Sequence, residues 1–480
     1  MTVADRPQQT NSMTRRAALI SVILTSFVMP FAASSVNVAL PAIGQEFGMD
    51  AITLSWVATA FLTSAMFLVP FGRLGDMRGR KVIFVWGCVV FTVTSLLLSI
   101  SPSGSTLLGL RVFQGIGGAM VFANGMALLI SAYPPQERGR VLGINVAAVY
   151  VGLSVGPFVG GLLTHYISWR SIFLLNVPLG LVATAFAFWR LADDASEARG
   201  ERFDFIGSVI YAITLVATMY GFSQLPAPLG IWLILAGLVG LALFIFWEQR
   251  TPSPVLDVRL FKDNATFAFS NLAALINYAA TFAVSFLLSF YLQYIKGLSA
   301  QDAGIVLVAA PVVQAAFSPL AGRLSDKVEP RWVASTGMAL TTFGLLLFTL
   351  VDASTSLAYI VATLIIIGFG FALFSSPNTN AVMSAVERRF YGVASATIGT
   401  MRQLGQMLSM GIAMLVFATY IGHVEIRPEN LHLLMASIKT AFVISVVLGA
   451  VGIYASLKRG NVQRPETLRD SETPSGRPRP

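Results

Sequence analysis

A chain of 480 residues with 55% hydrophobic and only 11% charged side chains, at a mean hydropathy of +0.73, is too apolar for a soluble protein of that length. A string of soluble domains is excluded, and one polytopic unit with the bilayer as its solvent is expected. The formal charge of +9 would fit nucleic acid, but the positions of the basic residues assign it to membrane topology.

A helix crosses a bilayer core with about 20 apolar residues, and fourteen such runs follow one another along the chain. Residues 1–16 read as a cytoplasmic N-terminal tail. The run at 17–43 begins after Arg15 and Arg16 like a signal peptide, but it is too long for one and reads as a retained helix. Runs at 51–71, 82–100, 107–132, 141–165 and 171–189 complete a first block, residues 17–190. Two further runs, 205–222 and 229–247, fall within a stretch at 191–264 that also holds polar linkers. A second block, 265–457, contains runs at 265–293, 302–320, 332–351, 356–383, 391–419 and 436–457. Residues 458–480 are polar and basic and are expected to form a disordered tail.

The basic residues alternate between the two ends of these runs. One side receives Arg73, Arg78, Arg80 and Lys81, then Arg138 and Arg140, Arg190, Arg250, Arg323, Lys327 and the final tail; the other holds only Arg170, Lys296 and Arg427, with Lys439 near a helix start. By the positive-inside rule the first side is cytoplasmic, so both termini are expected inside a cell membrane. The single cysteine, Cys88, lies in an apolar run and offers neither a disulfide framework nor a thiolate metal site.

The pentapeptide GRLGD at 72–76 returns as GRLSD at 322–326, 250 residues on, each time after the second run of a block. The chain is therefore duplicated, with two helices inserted between six-helix halves. Parallel repeats of this kind are a transporter architecture. Five motifs accompany the repeat in order: GRLGDMRGRK from Gly72, RVFQGIGGAM from Arg111, GLSVGPFVGG from Gly152, WRSIFLLNVPLG from Trp169 and RQLG from Arg402. Together they resemble the major facilitator superfamily, in its fourteen-helix drug:proton antiporter branch of the EmrB/QacA kind. The resemblance covers nearly the whole chain. It implies an all-α major facilitator fold of two six-helix bundles plus two inserted helices, moving a small organic substrate by alternating access in exchange for protons. A monomer in the lipid bilayer is expected, with no cofactor, metal, nucleic-acid partner or enzymatic activity.

The resemblance also assigns roles. Asp76 and Arg80, with Gly72 in the same tight turn, match a conformational lock between helices, and Asp326 is its counterpart in the second half. Gly152, Gly156, Pro157 and Gly160 match the antiporter motif of the fifth helix. Spacing alone reads those glycines as a face bare of side chains that another backbone can approach, with a kink at Pro157. Met77 departs from the pattern, where a basic residue is usual.

A membrane arginine costs about 2.5–3.5 kcal/mol on insertion scales, so it needs a partner or a wet cavity. Arg111 stands only about 6 Å inside the end of its run, close enough to snorkel to the interface. Arg402, about 16 Å along its helix from Tyr391, is the stronger cavity candidate. Ser395, Arg402, Gln406 and Ser409 form one polar stripe, and Asn271, Tyr278, Thr281, Ser285 and Ser289 form another. They line a shared cavity or bond helix to helix. Asn37 with Ser34, Gln114 and Gln314 are further candidates for the cavity wall, while Asn378, after Pro377, fits a role in satisfying a broken backbone.

A proton-coupled carrier ordinarily holds a carboxylate or histidine at depth, and the runs show none away from their ends. In FAASSVNVALP, Ala32 occupies the place where the resemblance expects Asp. Buried arginine without buried acid suits neutral or anionic substrates, which keeps an uptake carrier for a nutrient such as a flavin-like vitamin beside the efflux reading. A membrane enzyme is disfavoured by the absence of HExxH and of a buried acid pair, and a sensor by the absence of a sizeable soluble domain.

Overall fold

The computed structural model describes residues 12–65, 67–133, 135–191, 204–251, 261–262, 264–386, 391–422 and 424–460, and within them the regular elements are all helical. The first half comprises α1 (Ser12–Phe47), α2 (Ala51–Ala65), α3 (Leu68–Arg78), α4 (Arg80–Ser99), α5 (Gly104–Ala132), α6 (Pro135–Tyr166) and α7 (Arg170–Arg190). The inserted hairpin is α8 (Phe205–Gln224) and α9 (Pro228–Glu248). The second half comprises α10 (Ala265–Thr281), α11 (Val284–Phe290) with a π-helical turn at Tyr291–Ile295, α12 (Ala300–Leu307), α13 (Ala309–Lys327), α14 (Pro330–Thr349), α15 (Leu357–Ser384), α16 (Tyr391–Tyr420) and α17 (Leu431–Lys458). Side chains that accept backbone N–H groups set several starts: Ser103 caps α5, Asp204 α8, Asn264 α10, Ser299 α12 and Ser356 α15.

Among the described residues thirteen helical stretches are long and apolar enough to cross a membrane, not fourteen. The run at 51–71 is divided into α2 and α3. Proline explains the division, because Pro70, in the first turn of α3, has no N–H with which to continue the ladder from α2. The second helix of the other half breaks at Val308, and Pro311 likewise stands in the first turn of α13. A third break, at Phe282 and Ala283, has no proline. There Ser409 Oγ of α16 accepts the Ala283 N–H at 2.9 Å, replacing a ladder partner.

Glycine sets the packing of the first half. A Cβ at Gly152 would meet the Phe27 carbonyl of α1, one at Gly156 the Ser34 side chain, and one at Gly160 would stand 2.8 Å from Ser35. The neighbouring seam crosses between halves: Gly161 abuts the Ala300 carbonyl, and Gly304 abuts the Pro157 carbonyl. The Gly152 contact lies near the middle of α1, and the others lie toward the end where α1 finishes at Phe47, the far end; the end that holds the α3–α4 turn is the basic end.

Hydrogen bonds complete the far-end closure. Ser289 Oγ donates to the Asn37 carbonyl at 2.7 Å, and Gln293 Nε2 donates to the Val38 carbonyl at 2.9 Å. The inserted hairpin leans on the seam between α2 and α16, where Met219 packs with Ile52, Met407 and Met414. Asp204 ties its base by accepting the Trp247 indole N–H at 3.0 Å. The outer helix, α9, is largely uncovered, as a lipid-facing helix would be.

Replacing Gly152 by Ala forces two backbones apart, and overpacking of this kind costs about 1–3 kcal/mol. Thermal unfolding in detergent should show a lowered midpoint for Gly152→Ala and an unchanged one for Gly399→Ala, where a Cβ meets nothing within 4 Å.

Candidate functional site

At mid-depth a polar ring joins the halves. Tyr150 of α6 and Ser375 of α15 share a hydrogen bond of 2.6 Å between their hydroxyls, the first residue from one half and the second from the other. Gln314 of α13 neighbours the Tyr150 hydroxyl, and Tyr278 of α10 and Arg402 of α16 lie within its electrostatic reach. At 1.5 Å per residue, Tyr150, Tyr278, Gln314 and Arg402 stand roughly 16–22 Å from the basic ends of their helices. Four helices thus deliver polar groups to one level.

Arg402 points inward for a reason that can be traced along α16. Gly411 lies against Phe222 of the inserted hairpin, and nine residues of α-helix turn the chain by about 900°, half a turn past two full ones. Arg402 therefore faces away from the hairpin. Among the described residues it has no hydrogen-bond or ion-pair partner. Gln406 and Ser285 are half-buried like Arg402. The Tyr278 ring meets Phe371 edge-on at 5.2 Å, giving the ring of polar groups an aromatic wall.

Other candidates sit elsewhere. Arg111 is fully buried rather than snorkelling. Its Nε donates to the Val57 carbonyl at 2.8 Å, one terminal nitrogen donates to Gln114 Oε1 at 2.6 Å, and the guanidinium lies 4.6 Å from the Phe61 ring centre. Gln114 in turn donates to Ser95 Oγ at 2.8 Å. Arg111 and Gln114 thus belong to the packed interior of the first half and not to the ring. Asn271 is also fully buried, donating to the Phe267 carbonyl at 2.9 Å, with its Oδ1 unpartnered. Asn37 serves the far-end closure through its carbonyl. That end also holds a cleft of about 260 Å³ lined by Gln45, His165, Gln293 and Tyr294.

The repeated pentapeptides lie on helix rather than in a tight turn, GRLGD within α3 and GRLSD within α13, and the two copies differ. Gly72 stands 3.6 Å from the Ala123 side chain at its would-be Cβ, while Gly75 is overlain by Asn124, which donates to the Phe71 carbonyl at 3.2 Å. In the second copy Ser325 replaces Gly75, and its Oγ accepts from Asn380 Nδ2 at 3.1 Å. Gly79 takes φ +105° and makes the turn into α4. Arg80 is half-buried; the side chains of Asp76, Asp326 and Ser395 lie outside the described residues.

Sequence reasoning missed Tyr150 and Ser375, each an ordinary polar residue in its own helix. It also assigned Arg459 to the disordered tail, whereas the side chain is fully buried, with Nη1 donating to Asn378 Oδ1 at 3.1 Å and Nε to the Ser456 carbonyl at 2.8 Å. Burial brings its pKa down to about 10, which leaves it charged at neutral pH. Asn378 donates to the Ser270 carbonyl of α10 at 3.1 Å rather than to backbone of its own proline-containing helix. Residues 461–480 of the expected tail lie outside the described residues.

Two helical bundles that meet at one end and share a polar ring at mid-depth define a polytopic membrane transporter. The chain belongs to the Major Facilitator Superfamily, whose family model matches residues 22–247 and 271–479. It is 30% identical over 401 residues to the riboflavin transporter RibZ of Clostridioides difficile strain 630, covering 83% of this chain and 88% of that one. It is 32% identical over 397 residues to the uncharacterized transporter YebQ of Escherichia coli K12, covering 82% and 87%. Identity to the multidrug resistance protein Stp of Mycobacterium tuberculosis is 29% over 418 residues, covering 85% and 77%. In fold it is similar to a bacterial homologue of the human lysosomal transporter Spinster, inward-facing and unoccupied, with a TM-score of 0.64 at 17% identity over 95% of this chain and 98% of that one.

The two arginines should separate by variant. Arg111→Leu strands the Gln114 and Val57 acceptors and is expected to cost about 1–3 kcal/mol, read as a lowered unfolding midpoint in detergent. Arg402→Gln breaks no internal bond and should stay within about 0.5 kcal/mol of the parent.

Proposed function

We propose that this transporter exports small organic compounds by alternating access, in exchange for protons, across the cell membrane with both termini inside. The observation that carries the reading is the mid-depth ring, where Tyr150 and Ser375 join the halves beside an unpartnered Arg402. With the basic end on the cytoplasmic side, closure at the far end corresponds to a state loaded from the cytoplasm. Export is supported by the likeness to Stp, named for multidrug resistance, and exchange by the glycine seam of α6, which matches the antiporter motif.

Asp76 and Arg80, with Gly72 and the counterpart Asp326, act in this reading as the lock that favours the outward-facing state. Asp76→Asn should then change the inward–outward balance, read by accessibility of an introduced cysteine, while leaving substrate affinity largely intact. Unchanged accessibility and transport would sink the lock.

A second reading, an uptake carrier or facilitator for a neutral or anionic nutrient of the flavin type, is favoured by Ala32 in place of a helix-1 acid and by the likeness to RibZ. Proteoliposomes loaded with substrate decide between them. Proton antiport predicts efflux accelerated severalfold by an opposing proton gradient; equal rates with and without the gradient favour the facilitator. In cells lacking the protein, drug sensitivity with greater retention supports export, and vitamin auxotrophy supports import.

A further inference from the structure

The polar ring is rich in donors and poor in acceptors. Arg402 brings five guanidinium N–H groups and no acceptor, and none of them is bonded among the described residues. Gln314 is nine-tenths buried beside the Tyr150 hydroxyl, and no hydrogen bond of good geometry is made by its Nε2. Tyr150 and Ser375 hold two O–H groups between them and need only one for their shared bond, so a further O–H is free to donate. The Tyr278 hydroxyl adds to the set. No Asp or Glu occupies mid-depth in any of these helices.

We propose that the ring selects planar aromatic compounds bearing one carboxylate, with Arg402 and Gln314 holding the carboxylate and the Tyr278–Phe371 pair packing against the aromatic plane. The assignment rests on the transporter reading above and names its substrate class. Each part follows from an observed mismatch. A guanidinium fork accepts a carboxylate with two parallel hydrogen bonds, and here that fork has nothing else to bind. A buried amide nitrogen without an acceptor is costly in a dry site, and a carboxylate oxygen supplies one. The half-buried Tyr278 and Phe371 rings, in edge-on contact, supply aromatic surface for a planar guest. A lipophilic cation meets the opposite situation, since Arg402 repels it and no described carboxylate at that depth offsets the repulsion.

The test uses the full-length protein purified in detergent and four probes that separate ring from charge: 2-naphthoate, neutral 2-naphthamide, aliphatic decanoate and a naphthylmethyl-trimethylammonium cation. Naphthoate should bind at least tenfold more tightly than each of the others. Arg402→Gln should erase the preference of naphthoate over naphthamide without moving the unfolding midpoint, and Arg402→Lys should retain part of it. Gln314→Leu should weaken naphthoate more than naphthamide. Equal binding of naphthoate and naphthamide, tighter binding of the cation, no binding of any probe, or a preference that survives Arg402→Gln overturns the proposal. Counterflow in proteoliposomes keeps the two readings apart. A cation or neutral compound that exchanges across vesicles leaves transport standing and removes the anion assignment; anion-selective binding without exchange does the reverse.

Discussion

The contact that the rest of this structure depends on is the bare backbone surface between α1 and α6. Gly152, Gly156 and Gly160 bring α6 against the Phe27 carbonyl, the Ser34 side chain and the backbone of Ser35, a separation that any side chain would enlarge. In lipid, where burying apolar surface drives little association between helices, such close approach supplies the packing energy. It also sets where α1 and α6 present their far ends. Gly161 and Pro157 meet α12 there, and the Asn37 and Val38 carbonyls receive hydrogen bonds from α11 and the turn after it. Closure of that end is thus built from backbone contacts and a few neutral hydrogen bonds, each worth about 0.5–1.5 kcal/mol.

Charge is distributed by a different rule. Arg111 and Arg459 are both sealed inside single bundles, the first among α2, α4 and α5 and the second where α17 ends against α15. Burying an arginine is expensive, and each is tolerated because carbonyls, amides and hydroxyls meet its donors. These networks make each half stiff on its own. Arg402 has no such shell, and it stands at the level where the halves face each other. The contrast separates arginines whose donors are met within one bundle from one whose donors meet no described side chain or carbonyl.

Much of this was legible in the chain. Thirteen of the fourteen apolar runs are found as helices long enough to cross a membrane, and the glycine spacing as a seam, because each depends on local periodicity. The depth of Arg402 followed from counting along one helix. The division of the second run between α2 and α3 is also a local effect, and Pro70 in the first turn of α3 carries its signal through the missing N–H. What a single sequence hides is pairing over distance. Tyr150 and Ser375 are 225 residues apart, and nothing in either neighbourhood names the other. Arg111 looked free to snorkel because its acceptor, the Val57 carbonyl, is backbone and carries no sequence signal. Arg459 resembled its basic neighbours until the fold enclosed it.

The exchange of Gly75 for Ser325 between the two copies of the pentapeptide, each on a helix, carries a consequence for the history of the duplication. In the first copy Asn124 occupies the space a side chain would need and bonds the Phe71 carbonyl; in the second the serine hydroxyl is itself the acceptor for Asn380. Each copy has become matched to the asparagine of its own bundle. A serine transplanted into the first copy would collide, and a glycine in the second would remove the acceptor that Asn380 uses. The two halves are therefore no longer interchangeable parts: the inherited symmetry persists in the path of the chain, while the chemistry of each copy has become private to its own side.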